Sequence, residues 1–246
     1  VKLVFSRKGF DTTAGGVPSP ILGGAPVSLP IPAADRSRTS FAERGLGELV
    51  TALTRGRIGG ADLCHDDPMF GDGLCWFGQC GAAQGHLIKH GVGPGDHFLF
   101  FGLFADPDTG ERHHRIFAHM RVEACAAPEV LRQSPCWREP PRPHPHAEGE
   151  WPANNTIWFG PGATARRAVD ELRLTQPGGP LNLWQVPPWL GKRGLTYHDR
   201  PERWIGRRGL DSARRGQEFV CDIGRARQPR AWLERMIALI EDQPSD

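Results

Sequence analysis

The sequence is short of the signatures on which most enzyme assignments rest. It contains no GxGxxG and no P-loop, which leaves a Rossmann dinucleotide site and a Walker-type NTPase without support. Gly-x-Ser-x-Gly and His-Glu-x-x-His are missing as well, so neither the α/β-hydrolase nor the zincin mechanism is indicated. The six cysteines form no CxxC pair, which argues against a zinc ribbon or a thioredoxin-type centre and for free thiols in a reducing compartment. No apolar run approaches the roughly 20 residues that cross a bilayer, and no leader-like apolar region follows a basic start, so a cytoplasmic protein without a membrane partner is expected. A net charge of +2 is too small to recruit nucleic acid through the global field. Any such contact needs a local patch, and one is visible where Arg207, Arg208, Arg214, Arg215, Arg225, Arg227 and Arg230 gather.

What is present is a loop-rich chain, with 31 Gly and 23 Pro in 246 residues. No long linker divides it, and one domain over residues 1–246 is expected, with a Pro-rich loop at 133–155 inside it. "KLVFS" reads as an opening strand and "PVSLPIP" as an edge strand. Ser40 and Glu43 form a capping-box pattern that predicts a helix running to Gly56. "FGQCGAAQGHLIKHG" predicts a second helix whose small residues allow close packing. The clearest element is a hairpin: "DHFLFFGLFA" and "RHHRIFAHMRVEA" flank a turn at "DPDTG". A Gly-Asp turn feeding such a strand also occurs in small barrels of the PUA and EVE type. "TIWFG", "ELRLT" and "GQEFVCDI" predict further strands, and "PRAWLERMIALIEDQ" an amphipathic helix with Trp232, Met236, Leu239 and Ile240 on one face. Strands and helices mix without βαβ alternation. The expected class is α+β, with a mixed or mostly antiparallel sheet, flanking helices and long loops, or a PUA-like barrel.

Four clusters carry chemistry. After the first strand, Ser6, Arg7, Lys8 and Asp11 stand among turn residues, with two cations suited to a phosphate or carboxylate. In "CHDDP", His65 and Asp67 converge if the segment is extended, while Asp66 points to the opposite face. A histidine and a carboxylate make half a metal site, and the same residues also suit a turn. In the small-residue helix, Gln79 and His86 are seven apart and share a face, with Gln84 elsewhere. An amide can read a base edge in bidentate fashion. In "HPH", His144 and His146 fall on one side of an extended segment and, with Asp66 or Asp67, would complete a two-histidine, one-carboxylate set. Some of the eight tryptophans, Trp158 among the candidates, are available to stack on a base.

The stretches "SRKGFD", "GGVPSPI", "LPIP", "HDDP", "FGQCGAAQGHL", "GVGPGDHFLFFG", "HPH" and "GQEFVCD" occur in an order that resembles the nucleotide modification associated domain 3 family. That family is found in bacteria and phages and is named for its neighbourhood with DNA base-modifying enzymes. The resemblance runs from Lys2 to Cys221. Its motif residues map onto Ser6, Arg7, Lys8, Asp11, Asp66, Asp67, Gln79, Gln84, Asp96, His144, His146, Gln217 and Glu218. It implies an α+β domain that acts on or recognises modified nucleotides, and it carries over no chemistry. Combined with the clusters, it leads to an expected enzyme whose ligand is a nucleotide or DNA base. Arg7 and Lys8 hold the phosphate, with Ser6 and Asp11 beside them; Gln79 or Gln84 reads the base, and Trp158 stacks on it. Asp66, Asp67, His86, His144 and His146 supply acid/base work, or His65, Asp67, His144 and His146 hold a divalent metal such as iron, zinc or manganese. The alternative is a non-catalytic PUA-like reader that accepts a flipped modified base in DNA.

Overall fold

The computed structural model describes residues 1–241. The first half comprises β1 (Lys2–Arg7), β2 (Ser19–Leu22), β3 (Ala25–Pro26), α1 (Gly47–Leu53), β4 (Met69–Gly71), β5 (Leu74–Gln79) and α2 (Gly81–Lys89). The hairpin strands β6 (His97–Ala105) and β7 (Arg112–Arg121) follow, then β8 (Ala124–Ala126), α3 (Pro128–Leu131) and β9 (Thr156–Thr164). The last part contributes β10 (Leu183–Gln185), α4 (Pro188–Arg193), β11 (Trp204–Ile205), β12 (Gly209–Asp211), β13 (Glu218–Asp222) and α5 (Arg227–Glu241). The class is α+β.

One ten-stranded mixed sheet carries the fold, in the order β13-β1-β6-β7-β9-β5-β4, with β2, β3 and β8 as side branches. β1 runs parallel to β6 and antiparallel to β13. Both faces are covered, which is why β6 reads as a nearly unbroken apolar run. Leu3, Phe5, Leu99, Phe101 and Phe219 pack with Trp184 and the Leu233–Met236–Ile240 stripe of α5. Val4, Phe77, Phe98, Phe100, Trp158 and Val220 pack on the other face, where Leu87 of α2 joins them. The C-terminal insertion folds a separate three-stranded sheet, β10-β12-β11.

The ten-stranded sheet curls, yet it does not close. Its hydrogen-bonded path ends at β13 on one side and β4 on the other, so the PUA-like barrel expected as one form of the class is replaced by an open, coiled sheet. Side chains bridge the gap instead. Gln79 at the end of β5 donates from Nε2 to Glu218 Oε1 on β13 at 2.7 Å, although three strands separate β5 from β1 along the sheet. Ser6 Oγ and Lys8 Nζ reach the same oxygen at 3.1 Å each.

Several expected elements differ. The Ser40–Glu43 box forms, with Ser40 N donating to Glu43 Oε2 at 2.6 Å, but it closes a turn; Gly45 at φ +68 interrupts the chain and α1 begins only at Gly47. Of "PVSLPIP" only Pro26 falls in a strand, β3, and Pro32 makes a single bridge to Cys64, because the prolines cannot donate to a ladder. "ELRLT" makes a 3₁₀ turn at Asp170–Leu172 followed by single bridges at Arg173 and Thr175. The second helix starts at Gly81, four residues later than the expected stretch, since Phe77, Gly78 and Gln79 pair with β9.

The Glu218 cluster generates a prediction. Glu218 is 1 % exposed and Lys8 sits against the Phe77 ring at 4.2 Å, so Glu218→Ala leaves an ammonium in an apolar site without its counter-charge. A loss of about 3–5 kcal/mol is expected, as for other broken buried pairs. It would be read as a lower urea midpoint at unchanged slope; a change below 1 kcal/mol would mean that the seam is not held there.

Candidate functional site

A cavity of about 570 Å³ opens where β1 and β5 end and β13 begins. Arg7, Lys8 and Asp11 form one wall, His65 and Asp67 the floor, and Gln79, Cys80, Ala82 and Ala83 the β5–α2 turn. His146, Trp151, Arg36 and Gln217 complete it. Residues from six separate stretches of chain therefore share one space.

The floor is the most organised part. His65, Asp67 and His146 each offer a ligand atom, and the three atoms lie within 4.8 Å of one another. His65 and Asp67 converge as alternation along an extended segment requires, and Asp66 turns to the other side, where its oxygens take Arg44 and Arg142 at 2.9 Å each. Asp67 divides its own labour. Oδ1 accepts the Gly78 N–H at 2.7 Å and faces His144 Nε2 at 3.4 Å, while Oδ2 is turned toward His65 Nε2 at 3.8 Å. His146 lies directly on the β5 backbone at Gly78, a position where any Cβ would fall inside its ring.

Hydrogen bonds assign the tautomers. Asn155 Nδ2 donates to the His146 carbonyl at 2.8 Å, so its Oδ1 faces His146 Nδ1, and that nitrogen carries the proton. His146 Nε2 is left with a free lone pair. His144 Nδ1 accepts the His146 backbone N–H at 3.2 Å, which places the His144 proton on Nε2, toward Asp67. Trp151 stacks on His146 with ring centroids 4.1 Å apart at 14° and fixes its plane. The expected extended His144–Pro145–His146 segment is instead a 3₁₀ turn at Pro145–Ala147, so the two rings do not lie side by side on one face. His146 enters the cavity, and His144 stays 2 % exposed behind Asp67.

Electrostatics favour one protonation state. Burial pulls His146 down from its ordinary 6.5 to about 4, with Asp67 and the Asn155 hydrogen bond opposing. Burial also lowers His65, against Asp67. For Asp67 burial pushes the pKa up, but the His144 hydrogen bond and the neighbouring imidazoles outweigh it and hold the carboxyl well below the usual range. At neutral pH the floor is thus a carboxylate flanked by two neutral imidazoles, the state a metal ion requires of its ligands.

The wall that carries Arg7 combines two kinds of group. Arg7 donates to the Ala213 and Arg214 carbonyls at 2.9 and 3.0 Å and lies over the Phe101 and Phe219 rings. Burial lowers its pKa from 12.5, with Asp11 opposing. Arg36 lies over Trp151 at 4.7 Å. Among the described residues neither arginine has a carboxylate within ion-pair distance. α2 also begins at the cavity: the Gly81 N–H is taken by Asn154 Oδ1 at 2.8 Å, and Ala82 and Ala83, which line the space, belong to the first turn, whose N–H groups have no acceptor within the helix.

The remaining expected residues lie elsewhere or are already engaged. Ser6 is fully buried on Glu218. Asp11 Oδ1 accepts the N–H groups of Thr13 and Ala14 and shapes the loop. Gln79 belongs to β5, not to α2, so it shares no helix face with His86; its amide is spent on Glu218 and the Cys80 N–H. Gln84 and Trp158 bond each other at 3.1 Å inside the core, away from the cavity. His86 sits beyond the rim against Thr196. Arg36 and Asn155 were absent from the expected set; Trp151 stood in it only as one of the eight tryptophans, and Gln217 only as a motif residue of the resemblance. A strand ending in "FGQCGAA" was the available signal for the helix-terminus wall, whereas Arg36 and Asn155 carry no local mark.

The model of nucleotide modification associated domain 3 matches residues 2–222. The chain belongs to that family. Every residue lining the cavity falls inside the matched span, and α5 falls outside it. Membership ties the domain to nucleotide modification and to a nucleotide-related ligand. No curated protein and no solved structure matches the chain. Among the described residues no helix is long and apolar enough to cross a membrane.

Because the folded state holds His146 neutral to about 4 while an unfolded histidine titrates near 6.5, acid favours unfolding across that window. Stability is present above pH 6.5 and is lost as pH falls toward 4. The urea midpoint should drop over this range, and His146→Gln should flatten the drop; equal slopes for both proteins would contradict the assignment.

Proposed function

We propose that the cavity binds a nucleotide and that His65, Asp67 and His146 hold a divalent metal ion, iron, zinc or manganese, beside it, making the domain a metal-dependent enzyme that modifies a nucleotide or its base. The observation that carries this reading is the three-atom ligand set on the floor of a 570 Å³ cavity walled by cations. Three protein ligands leave open coordination positions, the arrangement of a catalytic centre and not of a structural one. A bound ion there would polarise a substrate oxygen or lower the pKa of coordinated water.

The chain's own residues then take separate parts. Arg7, Arg36 and the α2 N-terminus receive the phosphate, and Lys8 contributes less because Glu218 already neutralises it. Asn155 holds His146 in the ligating tautomer, and His144 steadies Asp67 from behind. Gln217, exposed on the rim next to Gln79, offers an amide to the base. Trp151 has His146 on one ring face and Arg36 against it, so it is a wall for the metal ligand and not half of an aromatic slot for a flipped base.

Protein purified without chelator should carry metal by elemental analysis. After stripping, calorimetric titration with Mn²⁺ or Zn²⁺ should show one site. Asp67→Ala and His146→Ala should abolish it, and Asn155→Ala should weaken it by about 10–100-fold. Nucleoside monophosphates should bind more tightly to the metal-loaded protein than to the stripped one, and incubation followed by mass spectrometry should reveal product. Absence of metal together with an unaltered His146→Ala variant would remove the metal from the reading, and binding without turnover would leave a reader.

A further inference from the structure

The cavity does not end at its rim. Ala82 and Ala83 carry its wall along α2, and His86 lies one turn further on the same face. The His86 ring stacks on Tyr197, with centroids 4.6 Å apart at 30°, and meets His90, the residue after α2, at 4.4 Å. Tyr197 is the only tyrosine of the chain, is 44 % exposed, and has φ +67, a conformation that a bulky L-residue adopts at a cost.

Its neighbours hold it there. Thr196 N donates to the Val220 carbonyl at 3.0 Å, and Thr196 Oγ1 accepts the Val220 N–H at 2.8 Å while pairing with His86 Nε2 at 3.0 Å. On the other side His198 Nε2 accepts the Ala213 N–H at 2.9 Å, so its Nδ1 donates to the Thr196 carbonyl at 2.8 Å. The chain leaving Ala213 returns to the cavity. The carbonyls of Ala213 and Arg214 receive Arg7, Arg214 and Arg215 are exposed, Gly216 packs against the Tyr197 ring, and Gln217 lines the cavity. An exposed aromatic tier, two exposed guanidinium groups without carboxylate partners among the described residues, and the cavity wall thus form one hydrogen-bonded assembly. The cavity itself makes no use of the ring or of these two cations.

We propose that this assembly docks a nucleic-acid strand. The nucleotide in the cavity is one unit of a polynucleotide, the base of an adjacent unit stacks on Tyr197, and the phosphates between them lie on Arg214 and Arg215. A stacking platform flanked by cations is how single strands are held without sequence preference. The inference rests on reading the cavity as a nucleotide site, and it specifies the substrate class as a strand in place of a free nucleotide.

The test is fluorescence anisotropy with fluorescein-labelled 12-nucleotide single-stranded DNA and RNA, beside calorimetry with the four deoxynucleoside monophosphates. A strand of one kind or both should bind more tightly than any monophosphate. Tyr197→Ala should weaken strand binding by about 5–150-fold, the loss of one stacked base, and Tyr197→Phe should restore it. Tyr197→Gly suits φ +67 and should match or exceed the parent melting temperature while still losing the strand, which separates docking from folding. The Arg214→Ala, Arg215→Ala double variant should reduce the slope of log K against log salt by about 1.4. Monophosphate binding should be unchanged in all of them. Strand binding no tighter than monophosphate binding, or indifferent to Tyr197 and the two arginines, overturns the inference and leaves the cavity reading standing. Strand binding that needs Tyr197 but ignores Arg7→Ala and Asp67→Ala supports the platform and overturns the cavity reading.

Discussion

A single buried carboxylate holds the open sheet in the shape that makes a cavity. Glu218 Oε1 gathers Ser6, Lys8 and Gln79, side chains from the end of β1, the loop beyond it and the end of β5, with three strands lying between β1 and β5. A closed barrel would join those ends through a backbone ladder and fill the space between them. Here side chains make the join at the cavity end, while further along β13 it is the Thr196 backbone, and not β5, that bonds Val220. Because the strand ends are tied and not paired, the segments leaving them, Lys8–Asp11 and Cys80–Ala83, are free to diverge and line the walls. The site is a consequence of incomplete closure.

The same economy of backbone contact organises the floor. Asp67 and His146 both lean on Gly78, one through its N–H and the other through the space a side chain would occupy. A strand residue that presents no Cβ lets an imidazole lie against the sheet, where burial keeps it neutral. Two side-chain partners, Asn155 and His144, then fix the protons. Neither touches the cavity's contents, yet together they determine that the His146 lone pair and the free Asp67 oxygen face one another.

Much of this was legible, and the limits have physical causes. The alternation His65–Asp66–Asp67 correctly separated a converging pair from a residue facing away, because an extended segment has only two sides. The hairpin, the first strand and the last helix followed from periodicity and turn chemistry. The "HPH" segment was misjudged since i, i+2 reasoning presumes extension, whereas proline also starts a 3₁₀ turn. Gln79 was placed on a helix because Gly and Ala hide where a strand ends; only pairing with β9, more than 70 residues away in sequence, decides it. Gln84 and Trp158 read as polar and aromatic candidates, and the sequence cannot reveal that an amide and an indole satisfy each other inside a core. Arg36 acts through Trp151, far away in the chain, and Asn155 through His146, nine residues back across an irregular loop, and single-sequence patterns carry no trace of either pairing.

Charge explains why the two halves of the site belong together. Arg7, Lys8 and Arg36 set three positive charges on the cavity wall, and Asp11, Asp35 and Asp67 set three negative ones, with the imidazoles neutral. The protein alone therefore offers a dianion no net attraction, and the buried Glu218 behind Lys8 tips the balance further against it. A divalent ion on His65, Asp67 and His146, as proposed, would turn that sum into a positive excess for a phosphate monoester to meet. Under that proposal metal and phosphate would compensate each other in a space of limited polarity, where an uncompensated charge is costly. The ligand set at the floor and the guanidinium groups at the wall are two parts of one electrostatic device.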